Sequence, residues 1–335
     1  MKKLLVLLLF TLLGFSAMCF NMSCSANRDP SAPNFQSPIQ TIVAINPTIT
    51  PTFSFTPLPP TPTPTITATS TPFVSTVWGS FSGPSGVCVD STGNVYVADT
   101  GNNVVKKFTS GNVLITSWGD GGKGKGKISF TTPKSVAVDS TGLLYVVGSG
   151  TNCVNKHDAL GNFLTQFTSA NGTTFAGPQG VAVDSANNVY VSDTGNNRVV
   201  KMNSIGVTLT GFGTSGIVTL TVSPYGLAVD SNFNVAVAAS DNTVRFFNST
   251  GTLVTTIPGF VGPNDVSFDS GNNLYVADAG NRQIEEFSTL GLTLPPINIF
   301  NDGGLLVSPK GIAISGTGTI YVTDAGGTGV FVFAP

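Results

Sequence analysis

Charge and histidine are what this chain has least of. Only 10% of its 335 residues are Asp, Glu, Lys or Arg, the formal net charge is −2, His157 is the single histidine, and Glu285 and Glu286 are the only glutamates. A phosphate backbone needs a basic face to neutralise it, so this balance argues against nucleic acid as a partner. One histidine cannot build a His-rich zinc site, nor supply a second candidate base to a His-dependent catalytic triad. Cysteine is also sparse: Cys19 and Cys24 lie near the N-terminus, and Cys88 and Cys153 stand a repeat apart and read as two buried thiols, with a disulfide between them the lesser alternative. Helical periodicity is absent.

What the chain has instead is a phrase written six times after residue 80: PSGVCVD from Pro84, PKSVAVD from Pro133, PQGVAVD from Pro178, PYGLAVD from Pro224, PNDVSFD from Pro263 and PKGIAIS from Pro309. A fixed-period repeat governs the architecture before any single residue does. A second apolar run follows in each unit, such as NVYVAD (Asn94 to Asp99) or NLYVAD (Asn273 to Asp278), then a third, such as VVKKF ending at Phe108. A fourth, such as NVLITSWG (Asn112 to Gly119), leads into a Gly-rich loop before the next Pro. Val, Ile, Tyr and Phe in the runs with DSTGN, DSANN and DTGNN at the joints predict short strands joined by tight turns. Four antiparallel strands in about 40–50 residues make one blade of a β-propeller.

The sixth unit stops after its third run, GVFVF (Gly329 to Phe333), while FVSTVWGSF (Phe73 to Phe81) ahead of the first unit reads like a fourth strand and shares the Trp-Gly pair of the first unit. The expectation is an all-β, six-bladed β-propeller over residues 73–335, with four-stranded antiparallel blades and an N-terminal strand completing the last one. Such a clasp removes exposed sheet edges. The wording P-x-G-V-A-V-D followed by N-x-Y-V-A-D-T-G-N-N-R-V resembles the NHL repeat family, best in the third unit (Gly177 to Met202), well in the first and fifth, and weakly in the second and fourth. That resemblance implies a propeller, often six-bladed, that serves as a platform for partners and carries no implication of chemistry by itself.

The N-terminal segment reports on location. Lys2 and Lys3 precede an apolar stretch too short for a comfortable membrane span and shaped like a secretory signal, so residues 1–24 read as a lipoprotein-like signal peptide. Cys24 is the favoured lipidation site and Cys19 the alternative; cleavage near Ala26 would release a soluble protein. Between Pro47 and Pro72 lie eight prolines and ten threonines, and no charged residue occurs from Pro30 to Val89. Residues 25–72 therefore read as a disordered Pro/Thr-rich tether, reaching at most roughly 150 Å at full polyproline extension.

The search for chemistry points to structure. Asp90, Asp139, Asp184, Asp230 and Asp269 share one repeat position and Asp99, Asp193, Asp278 and Asp324 another. Carboxylates recurring at hairpin entrances suit turn N–H groups, whereas a metal needs several oxygens converging on one ion. No catalytic residue, metal ligand or cofactor site is assigned. Alternating strand directions put the loops joining second to third strands and fourth strand to the next blade on one face. That face would collect Asn103, Asn197, Arg198 and Arg282 with Lys123, Lys125 and Lys127 of the loop Gly119 to Phe130. The expected function is a non-catalytic extracytoplasmic binding module on a flexible stalk, exported to the cell envelope as a lipoprotein or secreted. It would be a monomer, touch the membrane only through a lipid anchor, and bind a protein or glycan on its loop face. The alternatives are a propeller hydrolase or lyase with an axial metal, and a structural envelope or matrix protein.

Overall fold

The computed structural model describes residues 75–119, 131–288, 296, 298–300, 304–326 and 329–334. The signal peptide, the tether, both N-terminal cysteines and the loop carrying Lys123, Lys125 and Lys127 lie outside them. Among the described residues no helix is long and apolar enough to cross a membrane.

Six four-stranded antiparallel sheets form the blades. Blade 1 runs Pro84–Val89, Val95–Asp99, Val104–Phe108 and Leu114–Trp118. The first strands of blades 2 to 6 are Pro133–Val138, Gly180–Val183, Pro224–Val229, Pro263–Phe268 and Pro309–Ile314. Each first strand packs against the first strands of both neighbouring blades, the sixth against the first, so the ring is closed. Blades 2 and 4, where the repeat wording decays, are complete: blade 4 keeps all four strands through Leu253–Ile257. The fourth strands of blades 3 and 5 shorten to Ile217–Thr219 and Asn298–Phe300.

Closure uses the predicted clasp. Ser75–Trp78 pairs antiparallel with the third strand of the last blade, Gly329–Phe333, with Ser75 opposite Phe333 and Trp78 opposite Val330. Trp78 meets Tyr321 of blade 6 edge-on at 5.3 Å between ring centroids. In blade 1 the matching residues, Trp118 and Tyr96, stack at 6.0 Å. The N-terminal strand thus does for blade 6 what an intrinsic fourth strand does for blade 1. Closing a toroid this way pairs the outer edge of the third strand, which would otherwise offer unpaired N–H and C=O groups to other chains.

Second strands explain the continuous apolar runs. Val95–Asp99, Leu144–Gly148, Val189–Asp193, Val235–Ala239, Leu274–Asp278 and Ile320–Asp324 are buried at every position. Both sheet faces of each second strand meet a neighbouring blade, so alternation with polar residues is lost. Phe81, Phe175, Phe260 and Leu306, each three residues ahead of a repeat Pro, are buried wedges. One glycine is fixed by this packing: Gly161, at φ +85°, lies against the Trp118 indole, and a Cβ there would run into the ring.

Candidate functional site

The recurring carboxylates are consumed by the scaffold. Asp90 Oδ1 accepts hydrogen bonds from the backbone N–H groups of Thr92 and Asn94 at 2.9 Å, its Oδ2 accepts from Asn94 Nδ2, and the Tyr96 hydroxyl donates to it at 3.1 Å. These bonds hold the Asp90 carboxyl below the usual carboxylate range against the opposing effect of burial. Asp184 repeats the arrangement with Ala186, Asn188 and Tyr190. Asp139 does so with Thr141, Leu143 and Tyr145, and Asp230 and Asp269 with the residues two and four positions on. The second set latches loops on the opposite face. Asp99, Asp193, Asp278 and Asp324 accept from the backbone N–H of Ser82, Ala176, Val261 and Ser308 at 2.8 Å each. Among the described residues no group of three or more His, Cys, Asp and Glu is arranged to hold a metal.

The loop joining second to third strands meets the entry loop of the next blade: the Asn103 Oδ1 accepts from the Thr132 N–H. The residues expected on the loop face are mostly bound inward. Asn103 has a left-handed backbone at φ 54°, and Asn152 and Asn242 repeat its bond by accepting from the Gly177 and Gly262 N–H groups. Asn197 accepts from the Ser223 hydroxyl. Arg198 is buried, its Nε 2.7 Å from Asp193 and its second guanidine nitrogen donating to the Thr173 carbonyl. Arg282 remains exposed. His157 is buried in a third strand, with Nδ1 3.2 Å from the Gly161 carbonyl and its ring edge-on to Phe163. Burial pushes its pKa down. Cys88 and Cys153 are free thiols whose pKa burial raises, so neither is set up as a thiolate nucleophile.

The ring brings together a set of residues that no single repeat reveals. Along the axis the six first strands enclose a channel of about 200 Å³, walled by segments such as Val87 to Val89, Val181 to Val183 and Ile312 to Ile314. Above it, on the loop face, sits a mouth of about 90 Å³ lined by Ser85, Lys134, Gln179, Asn264, Asp265 and Lys310 together with glycines. Most of these follow the repeat Pro by one position, so convergence is a product of closure.

The electrostatics of the mouth are uneven. Lys310 Nζ donates to Asn264 Oδ1 at 3.3 Å, and Asn264 Nδ2 donates in turn to the Pro309 carbonyl. Burial and then the neighbouring Lys134 charge hold Lys310 below the usual ammonium range, with Asp324 opposing them. Asp265 replaces the small residue found here in other blades; its Oδ2 accepts from the Ile312 N–H at 3.2 Å, as the Ser135 hydroxyl accepts from Val181 N–H between blades 2 and 3. Burial pushes the Asp265 carboxyl up to about 7, outweighing the backbone bonds that lower it. The signal that could have located this cluster is the residue after each repeat Pro, which carries a hydrogen-bonding side chain in all six units and is lysine in two.

The NHL repeat family model matches residues 81–108 and 175–202, which fall in blades 1 and 3. No curated protein matches the sequence. Among solved structures, a streptogramin B lyase is 15% identical with a TM-score of 0.57, covering 78% of this chain and 97% of its own. A catalytically inactive histidine-to-alanine variant of virginiamycin B lyase from Staphylococcus aureus, with quinupristin, is 13% identical with a TM-score of 0.58, covering 78% and 99%. A gluconolactonase from Xanthomonas campestris is 13% identical with a TM-score of 0.60, covering 77% and 87%. Identities this low speak for the fold alone. Repeat wording, repeat match and closed ring agree: the chain is a six-bladed β-propeller that carries NHL repeats in blades 1 and 3.

Proposed function

We propose that this propeller is a non-catalytic binding module, exported and held on the 25–72 tether through a lipid at Cys24, that takes a protein or glycan partner on its loop face over the axial mouth. The observation that carries the reading is the fate of the repeated carboxylates. They are engaged by turn and latch N–H groups, while the polar residues that converge on the axis are dominated by amides and two lysines. A cation would meet Lys134 and Lys310 there, the opposite of a site built for hard metal ions.

The lyase and lactonase neighbours keep an enzymatic reading in view, and its requirement is a converging ligand set. Asp265 is the one axial carboxylate among the described residues lining the mouth, and it is committed to the Ile312 N–H. Capture of a partner from envelope extract by the full chain tests the binding reading. Retention by the wild type and loss on charge reversal at Lys123, Lys125 and Lys127 or on blocking the loop face supports it. Stoichiometric calcium or zinc in the purified protein, with no partner captured, would replace it with the enzymatic one.

A further inference from the structure

Among the described residues most cations are spoken for, with Arg282 left exposed on a loop. Lys106 pairs with Asp99 at 2.7 Å, Arg198 with Asp193 at 2.7 Å, and Arg245 with Asp241 at 2.8 Å. Lys107 and Lys201 lie within 4 Å of Asp90 and Asp184, and Lys156 donates to the Ser204 carbonyl. Lys134 and Lys310 break the pattern. Both are half-buried in the mouth, near enough for the charge of one to disfavour that of the other, and neither forms an ion pair among the described residues. Two partly desolvated ammonium groups of like sign, with no carboxylate in ion-pair contact and only the Asp324 charge acting on Lys310 from further off, are costly unless something negative sits between them.

No carboxylate among the described residues is placed between the two lysines. Asp265 is turned to the Ile312 N–H, and Asp324 is occupied by the Val307 and Ser308 N–H groups. Asn264 offers its oxygen to Lys310 and donates its amide protons to the Pro309 carbonyl. Gln179, half-buried in the same wall, has no side-chain hydrogen bond among the described residues and is a free amide donor. The mouth of about 90 Å³ fits one small group, and Gln179, Asn264 and Lys310 also border an open depression of about 490 Å³ with room for the rest of a ligand.

We propose that the axial mouth is a binding site for a small oxyanionic group, a carboxylate or a phosphate, held between Lys134 and Lys310 with Gln179 donating a further hydrogen bond. The group would be the acidic end of a larger ligand lying across the loop face. This inference rests on the loop face being the binding face, and it narrows that reading to partners with an exposed acid group. Charge-assisted bonds from two ammoniums in a partly dry cavity are the strong class of hydrogen bond.

The test uses the purified full chain titrated with sodium acetate and with inorganic phosphate at constant ionic strength, followed by calorimetry and by the rise in unfolding temperature that ligand binding produces. Saturable binding at millimolar concentration is expected, weakened about tenfold by Lys134→Met or Lys310→Met alone and abolished in the double variant. Lys310→Arg should retain binding, and Arg245→Gln, which removes a cation already paired, should match the wild type. Tighter binding of phosphate than of acetate identifies a phosphoryl ligand, and the reverse a carboxylate. Absence of saturable binding by folded wild type overturns the inference, as does an unchanged affinity in a folded double variant. Partner capture on the loop face in either of those cases would leave the binding-module reading standing, whereas anion binding with no partner captured would strike that reading instead.

Discussion

Blades 3 and 2 solve one problem with different chemistry. In both, the loop leaving the second strand must be tied to the loop entering the blade, and buried backbone groups at that junction need partners. Blade 3 uses a carboxylate: Asp193 accepts from the Ala176 N–H and from Asn196 Nδ2 while pairing with Arg198. Blade 2 has Gly148 at that position and Cys153 in place of the arginine, so the carboxylate bond is lost and only the glycine N–H bond that blade 3 also makes, Gly195 to the Ala176 carbonyl, has a counterpart. The Gly150 N–H donates to the Thr132 hydroxyl at 2.9 Å and to the Thr131 carbonyl at 3.2 Å. Blade 4 sits between, with the Ser240 hydroxyl accepting from the Ser223 N–H. The junction keeps its geometry from blade to blade, while the repeat motif records only its carboxylate version.

That contrast is most severely disrupted in blade 3. Asp193→Ala leaves a buried guanidinium and a loop N–H without their acceptor, and is expected to cost about 3–5 kcal/mol by chemical denaturation. Combining it with Arg198→Met should recover part of the loss; equal destabilisation of single and double variants would show that the latch bond, not the buried charge, dominates.

Blade 5 adds a third version, because it keeps the carboxylate, Asp278, and puts Glu285 where blade 1 has Lys106. Burial, and then the Asp278 charge, push the Glu285 carboxyl up to about 7 against a helping bond from Gln283. The folded state therefore holds a proton that the unfolded chain has released, and stability should fall as pH rises from about 4.5 to about 7 and level off above. Glu285→Gln removes this slope, with a gain at pH 8 on the order of 3 kcal/mol at most. Parallel pH profiles of wild type and variant would assign the slope elsewhere. Ser240→Ala in blade 4 is the mildest change, about 1 kcal/mol for one lost acceptor at a partly solvated N–H; a larger loss would mean the hydroxyl latch is as essential as the carboxylate one.

Much of the propeller is legible in the residues. The repeat Pro, the first-turn Asp (Ser315 in blade 6) and the apolar second run mark each blade, and Trp78-Gly79 repeating Trp118-Gly119 marks the clasp. Asn103, Asn197 and Arg198 read as surface groups because loop residues with polar side chains ordinarily face water. The left-handed backbone of the two asparagines, and the bonds that tie them to the next blade and Arg198 to Asp193, become visible only when neighbouring blades are in place.

The number of blades, their four-strand content and the means of closure were already written in the chain, because each follows from a local pattern repeated along it. That Lys134, Gln179, Asn264 and Lys310 share one small chamber belongs to the folded ring. They stand tens of residues apart, and only closure carries the same position of successive blades to a common axis.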